Sequence, residues 1–516
     1  MNTRTILRNT AWFALENMIS FGASLIASFL IARTLGPTRM GYIVYVLWVV
    51  NICSSLGGIG IPATTRKYMA EFLGADQQLA ARHVYRLTLI AQLCTATVAT
   101  VGALVWVLRD VQPEYRTASV LLVLSIWPSM VNSISAFANV ASEDLSANLP
   151  ASAASTVAFF CITLLTVTLH WGVMGVAVSM LTMRTVDFGV RFVPTFLRIR
   201  RWNSGSDQVP PDLRKRMQSF ALQSLLGMLL TLVVWDRSEV VLLKHFSPDI
   251  RQIAFYSVAF SLAERLLVFP SVFASATGAS MFAQYGRDKS RLPALTAASA
   301  RYLGLTSIPL HIIATSLAGA ALLTMYGQKY TGALAVAMAA PLLCAAKAFL
   351  SPVQTMFETL ERQSYFIAAT LAASVIDVAV AIALIPRYGA LGAAIGSGVA
   401  QMICVAALWA LAIRQFHVQL PWVFFGKVAA VSMVASAVGY LCVLRTPPVV
   451  GLVTGGLLST LTFLLLAGWA RVFEREDLQR FKVLVESCPT MFAAPVNLTY
   501  SWLDRRMTAG QTEELL

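Results

Sequence analysis

The stretch "TLVVWDRSEVVLL", residues 231–243, places Asp236, Arg237 and Glu239 among residues that otherwise favour lipid. Each ionised side chain near the centre of a membrane helix costs roughly 2.5–3.5 kcal/mol. Such groups persist only where they meet a partner, water or a charged ligand. On an α-helix Asp236 and Glu239, three apart, share a face, and Arg237 points about 100° away. Two kinds of chemistry suit that pattern. An acidic pair facing a cavity takes up H⁺ or Na⁺ beside a cation that holds a phosphate. Alternatively, a salt-bridged cluster closes the outer end of the helix, which lies roughly 10 Å from Asp236.

Further ionisable residues fall in apolar surroundings. Glu264 and Arg265 sit near the middle of their segment, where escape to the interface is hardest. Arg184, Asp187 and Arg191 are spaced three and four apart, a ladder that either neutralises itself or faces a ligand. Lys347 and Asp377 are lone charges that each need a partner or water, and they are candidates to pair with each other. Glu16, beside Asn17, is a weaker candidate for an ion site. The candidate anion-binding cations are therefore Arg237, Arg265, Lys347, Arg184 and Arg191. The candidate ion-coupling or gating acids are Asp236, Glu239, Glu264, Asp377, Asp187 and Glu16. Arg33 and Arg39 on one side, and Arg66 and Lys67 on the other, suit interfacial anchoring, with attraction of anionic headgroups as the alternative.

Other chemistries are absent from the pattern. The seven cysteines form no CxxC, and with the five histidines they make no metal-ligand spacing. "GGIGIP" (57–62) is glycine-rich but lacks the Lys-Ser/Thr of a phosphate-binding loop. No catalytic residues, metal or cofactor are expected. "NLT" (497–499) matches a glycosylation sequon but falls in a segment read as cytoplasmic.

These residues must be positioned by membrane helices. The 516-residue chain is 57% hydrophobic and 12% charged, with a mean hydropathy of +0.69. Soluble proteins carry about 25% charged residues. Fourteen apolar spans are expected, at 11–33, 41–63, 87–108, 119–141, 149–169, 172–194, 219–243, 253–276, 301–324, 332–355, 363–385, 389–412, 425–444 and 449–470. The net charge of +14 follows from basic loops such as "RIRRWNSGSDQVPPDLRKR" and "QYGRDKSR", not from a nucleic-acid surface. Roughly 25 Lys/Arg fall on one side and about 9 on the other, which puts both termini in the cytoplasm. Arg4 and Arg8 precede a first helix that is read as retained.

The chain also repeats itself. "HWGVMGVAVS" (170–179) aligns with "RYGALGAAIG" (387–396), "ARTLGP" (32–37) with "LKHFSP" (243–248), and "YMAEFLGADQQL" (68–79) with "SMFAQYGRDKSRL" (280–292). Spans 1–6 thus correspond to spans 7–12 in the same orientation, a parallel repeat that implies two six-helix bundles around a central cavity. The expected organisation is a bundle over 1–200, a basic linker over 201–218, a second bundle over 219–415, two further spans over 416–470 and a cytoplasmic tail over 471–516. The tail's "RVFEREDLQRFKVLVES" has the spacing of an amphipathic helix, lying either on the membrane or on the protein's own loops.

Four stretches carry a family resemblance: "ARTLGPTRMGYIVY", "LGGIGIPATTRKYMAEF", "VVWDRSEVVLLKHFSPDIRQIAFYSVA" and "YGALGAAIGSGVAQ". With the twelve-span repeat they resemble the MOP superfamily of multidrug, oligosaccharidyl-lipid and polysaccharide exporters, and most of all its polysaccharide (Wzx-like) flippase branch. "AERLLVFP" (263–270) is similar to a pattern in lipid II flippases of the same superfamily, but "FGASLIAS" (21–28) lacks the first-helix arginines of that group. The resemblance implies an all-α polytopic protein of the bacterial inner membrane that is a transporter and not an enzyme. Its implied substrate is a polyprenyl-diphosphate-linked oligosaccharide, moved to the outer leaflet by alternating access under a membrane potential or ion gradient. Implied partners are membrane lipids and the polymerase and glycosyltransferases of the same pathway. The alternatives are an ion-coupled multidrug exporter, a membrane glycosyltransferase or polysaccharide ligase, and a non-transporting scaffold.

Overall fold

The computed structural model describes residues 3–142, 144–203, 210–235, 238–268, 270–271, 281, 289–360 and 362–473. Among these every regular element is a helix. Spans 1–6 are carried by α1 (Thr3–Gly58), α2 (Ile61–Gly74), α3 (Gln78–Asp110), α4 (Pro113–Leu124), α5 (Ile126–Ala141), α6 (Leu149–Thr168) and α7 (Gly172–Arg200). Spans 7 and 8 are described in pieces, α8 (Leu213–Trp235), α9 (Glu239–Phe246) and α10 (Arg251–Arg265). Next come α11 (Leu292–Tyr326), then α12 (Leu334–Ala348) and α13 (Leu350–Thr359), which share span 10. The last four spans are α14 (Gln363–Tyr388), α15 (Ala390–Phe416), α16 (Trp422–Arg445) and α17 (Pro448–Trp469). The tail helix expected beyond residue 473 lies outside the described residues.

Among the described residues eleven helices are long and apolar enough to cross a membrane. The first of them, Ser24–Gly58, is two spans meeting at Gly36, where φ is 73°. Glycine tolerates that angle, and Pro37 starts the next helix with its φ already set. With span 1 separated from span 2 there, and the pieces of spans 7 and 8 added, the fourteen expected spans are accounted for. One refinement concerns the expected cytoplasmic loop after span 2, which is helical. After a turn at Ile59 and Gly60, α2 runs on to Gly74 and buries Ile61, Thr64, Thr65, Tyr68, Met69 and Phe72 at helical spacing.

The helices are apolar in a manner suited to lipid. From Gln92 to Ala103 the buried positions of α3 are small or polar (Gln92, Ala96, Thr100, Ala103), while Val98, Val101, Val105 and Leu108 are exposed. α17 repeats this, burying Gly451, Gly455 and Ser459 every fourth residue and exposing Val453, Leu457, Leu461 and Leu465. Lipid solvates a large aliphatic side chain as well as a protein core does, so helices associate through small residues that allow close approach.

The internal repeat recurs as local geometry. Gly36–Pro37 and Ser247–Pro248 each separate the end of one helix from the start of the next. The second turn is followed by Asp249, whose Oδ1 accepts from the Arg251 backbone N–H at 3.0 Å. Gly172 (φ 60°) and Gly389 (φ 54°) occupy equivalent left-handed turns before spans 6 and 12. Spans 4 and 10 are both interrupted, at Ser125 and Phe349, with Pro128 and Pro352 each three residues beyond. Proline cannot donate to the carbonyl four residues back, so both spans lose the same helical bond.

Two compact units result. The first comprises Met1–Ser257, Met325–Tyr330 and Ile385–Ala390. Its core includes Ala27, Ile31, Leu35, Ile43, Phe159 and Val176. Distant turns meet within it: Lys244 lies 3.8 Å from Asp110, Gln252 Oε1 accepts from the Ala390 N–H at 2.9 Å, and buried Tyr330 donates to the Ala32 carbonyl at 3.0 Å. The second unit comprises Val258–Thr324, Thr331–Leu384 and Leu391–Leu516. Val428, Ala435, Phe463 and Ala467 form part of its core, and Ser436 ties α16 to α11 by donating to the Ile312 carbonyl at 2.9 Å.

Candidate functional site

α7 carries the most completely defined set of intramembrane charges. Asp187 and Arg191 are one turn apart and pair at 2.7 Å, with side chains 19% and 12% exposed. Asn132 on α5 donates to the other Asp187 oxygen at 2.7 Å, and Arg191 also donates to Ser152 on α6 at 3.0 Å. The ladder is thus half neutralised. Arg184 is exposed and makes no ion pair among the described residues. Arg184 lies on the same side of α7 as Asp187 and Arg191, and the exposed aliphatic residues Val190, Val193 and Leu197 lie on the opposite side. The aliphatic side suits hydrocarbon. Arg184 points away from it, where a guanidinium suits water.

Span 7 contributes a buried acid. Glu239 is fully buried in the first turn of α9, where the helix dipole favours negative charge. Its Oε2 accepts from the Tyr256 hydroxyl at 2.6 Å. Asp236 and Arg237 lie outside the described residues, as does the side chain of Glu16. In the second unit, Glu264 and half-buried Arg265 end α10. Lys347 stands in the last turn of α12, two residues before the interruption at Phe349. The Phe349 carbonyl accepts from the Trp409 indole at 3.0 Å. Asp377 on α14 is fully buried.

Three polar clusters are formed by residues that sequence reasoning did not single out. At the C-terminal end of α7, Arg198 pairs with Asp144 and donates to Asn139 at 2.7 Å, and Asn139 in turn donates to Asn148 at 2.8 Å. Near the C-terminal end of α3, Tyr45 accepts from the Trp106 indole at 3.0 Å, and Lys244 lies 5.4 Å from the Tyr45 ring centre. At the start of α8, Arg216 meets Glu71 at 3.2 Å, and the Glu71 carboxylate pushes the Arg216 pKa up. The only signal for these in sequence was a charge at the end of an apolar span.

A cavity of about 480 Å³ in the second unit is lined by apolar residues such as Leu262, Leu266, Leu317, Leu452 and Phe463, with Thr306 and Thr460 as its hydroxyls. It offers no group for charge chemistry. Among the described residues there is also no cluster of three His, Cys, Asp or Glu able to hold a metal.

Solved structures resemble this chain in fold. The inward-facing conformation of a multidrug resistance MATE family transporter of the MOP superfamily matches with TM-score 0.66 at 16% identity, covering 79% of this chain and 98% of that one. Lipid II flippase MurJ, in an inward closed conformation, matches with TM-score 0.66 at 13% identity, covering 90% and 98%. A MOP superfamily transporter from Pyrococcus furiosus, noted for the reverse polarity of its binding pocket, matches with TM-score 0.51 at 16% identity, covering 80% and 94%. Among curated proteins none matches. Residues 6–285, more than half of the sequence, match the model of a family described as polysaccharide biosynthesis protein. A polytopic membrane protein with the all-helical fold of MOP superfamily transporters, the chain belongs to the polysaccharide biosynthesis protein family.

Proposed function

We propose that this protein is a flippase for a polyprenyl-diphosphate-linked oligosaccharide, carrying the sugar head from the cytoplasmic to the outer leaflet of a bacterial inner membrane by alternating access. Unaided, the head would lose hydrogen bonds to water at several kcal/mol per polar group. A hydrated path lined by charged spans avoids that cost, while the prenyl tail stays in lipid. The observation that carries this reading is Arg184: exposed on α7, without an ion-pair partner among the described residues, in a chain of a polysaccharide family. Arg184 stands with Arg237, Arg265 and Lys347 as cations for the diphosphate, Arg191 being already engaged by Asp187. The two six-span repeats rock around this path. An inside-negative potential drives an anion outward by roughly 2.3 kcal/mol per charge per 100 mV. Return to the inward-facing state uses H⁺ or Na⁺ uptake at acids such as Glu239, Glu264 or Asp377.

The test is export in cells. Arg184→Ala combined with Arg237→Ala and Arg265→Ala, expressed at the normal level, should lower surface polysaccharide about 1,000-fold or more, taking roughly 1.5–3 kcal/mol for each charge-assisted hydrogen bond removed. Undiminished export would overturn the cationic path.

A further inference from the structure

Lys67 and Lys215 are left unexplained by a path of intramembrane charges. At the inner ends of spans 2 and 7 a pocket of about 390 Å³ is lined by Lys67, Asp212, Lys215 and Arg216 together with the rings of Tyr68 and Phe220. Its walls are fixed by packing. Tyr68 is buried at 2% exposure and meets Phe220 edge-on, with ring centres 6.1 Å apart. Lys67 Nζ stands 4.1 Å from the Phe220 centre and 5.3 Å from that of Tyr68. The Arg216 guanidinium lies 5.4 Å from the Tyr68 centre and is held from the other side by Glu71 at 3.2 Å.

The rings position these cations without neutralising them. Cation–π contact leaves the ammonium N–H groups free to donate elsewhere. Among the described residues Lys67 and Lys215 make no ion pair, and Asp212 is the one carboxylate in the lining. With Arg216 already offset by Glu71, Lys67 and Lys215 leave two ammonium groups without an ion pair, one for each phosphate of a diphosphate, where a phosphodiester has only a single charge to offer. Compact ammonium groups are effective phosphate binders. The depth is also appropriate, because α2 continues past the turn at Gly60 and α8 begins at Leu213, just before span 7 enters the apolar layer.

We propose that this pocket is a loading site that captures the diphosphate of the lipid-linked substrate at the cytoplasmic headgroup level, before the sugar head reaches the intramembrane charges. The proposal rests on the lipid-diphosphate reading of the substrate given above.

Equilibrium dialysis of radiolabelled inorganic diphosphate against the full-length protein, in nanodiscs of neutral phosphatidylcholine, tests it. The wild type should bind, and more weakly as salt rises. Lys67→Gln with Lys215→Gln should weaken binding about 10-fold per lysine, while Lys67→Arg with Lys215→Arg should retain most of it. Absence of wild-type binding, or equal binding by the double glutamine variant, would overturn the site. So would nanodiscs of anionic phosphatidylglycerol that abolish diphosphate binding, since the pocket would then be a phospholipid anchor. The two proposals fail separately: equal export and equal diphosphate binding by the double glutamine variant removes the loading site alone. Undiminished export without the intramembrane arginines, with diphosphate binding intact, removes only the cationic path.

Discussion

Asp187 is bonded on two sides, by Arg191 and by Asn132, so its removal strands a guanidinium that is 12% exposed. Breaking a buried pair by deleting one partner costs about 3–5 kcal/mol, whereas replacing both with apolar side chains of similar size is often near neutral. Asp187→Ala should therefore lower the thermal unfolding temperature of the detergent-purified protein by several degrees. Asp187→Leu with Arg191→Met should restore most of the loss. A double variant as unstable as the single one would show that the pair is not what Asp187 supports. The i,i+4 spacing of Asp187 and Arg191 was legible in the sequence because it lies on one helix. Asn132 and Ser152 were not, because naming them requires knowing which faces of spans 4 and 5 meet span 6. Glu71 and Arg216, 145 residues apart, were hidden for the same reason, and Arg66 and Lys67 were legible only as basic residues at a membrane boundary.

Among elements, the interrupted spans are the part that periodicity missed. Hydropathy reports a span as one apolar block, and a single missing backbone bond leaves that average unchanged. The signal was nevertheless present as "SIWPSM" and "FLSPVQ", each with its proline three residues beyond the interruption. Interruptions at matching places in the two halves of a transporter point to the region that moves or binds. Pro128→Ala and Pro352→Ala each return an N–H to a helix, for the Leu124 and Ala348 carbonyls respectively. The doubly substituted protein should fold at least as stably as the wild type yet export polysaccharide several-fold more slowly. Undiminished export, with the melting temperature raised, would show that the interruptions serve only packing. By contrast, "GGIGIP", read in sequence as a failed nucleotide loop, has a positive role: a Cβ on Gly60 (φ 66°) would lie 2.5 Å from the Ala221 carbonyl and 2.8 Å from Ser224 Cβ. Glycine is what lets span 7 approach span 2 there.

For the whole molecule, an even number of spans and the basic loops predict that both termini face the cytoplasm. Single cysteines introduced into a cysteine-free background test this. A membrane-impermeant maleimide should label Gln112→Cys, between spans 3 and 4, in intact cells, and should reach Arg201→Cys only after permeabilisation. The reverse pattern would invert the topology. Span number was legible because lipid demands about 20 apolar residues per crossing. The membership of the first compact unit was not legible, since it depends on contacts between distant turns. That membership has a consequence in time. The first unit draws on Met325–Tyr330 and Ile385–Ala390, so it stays unfinished until roughly 130 further residues have followed Ser257 out of the ribosome. At about 5–20 residues per second that delay is on the order of 6–27 s. During it the Ala32 carbonyl and the Gln252 amide await partners that have not yet been synthesised.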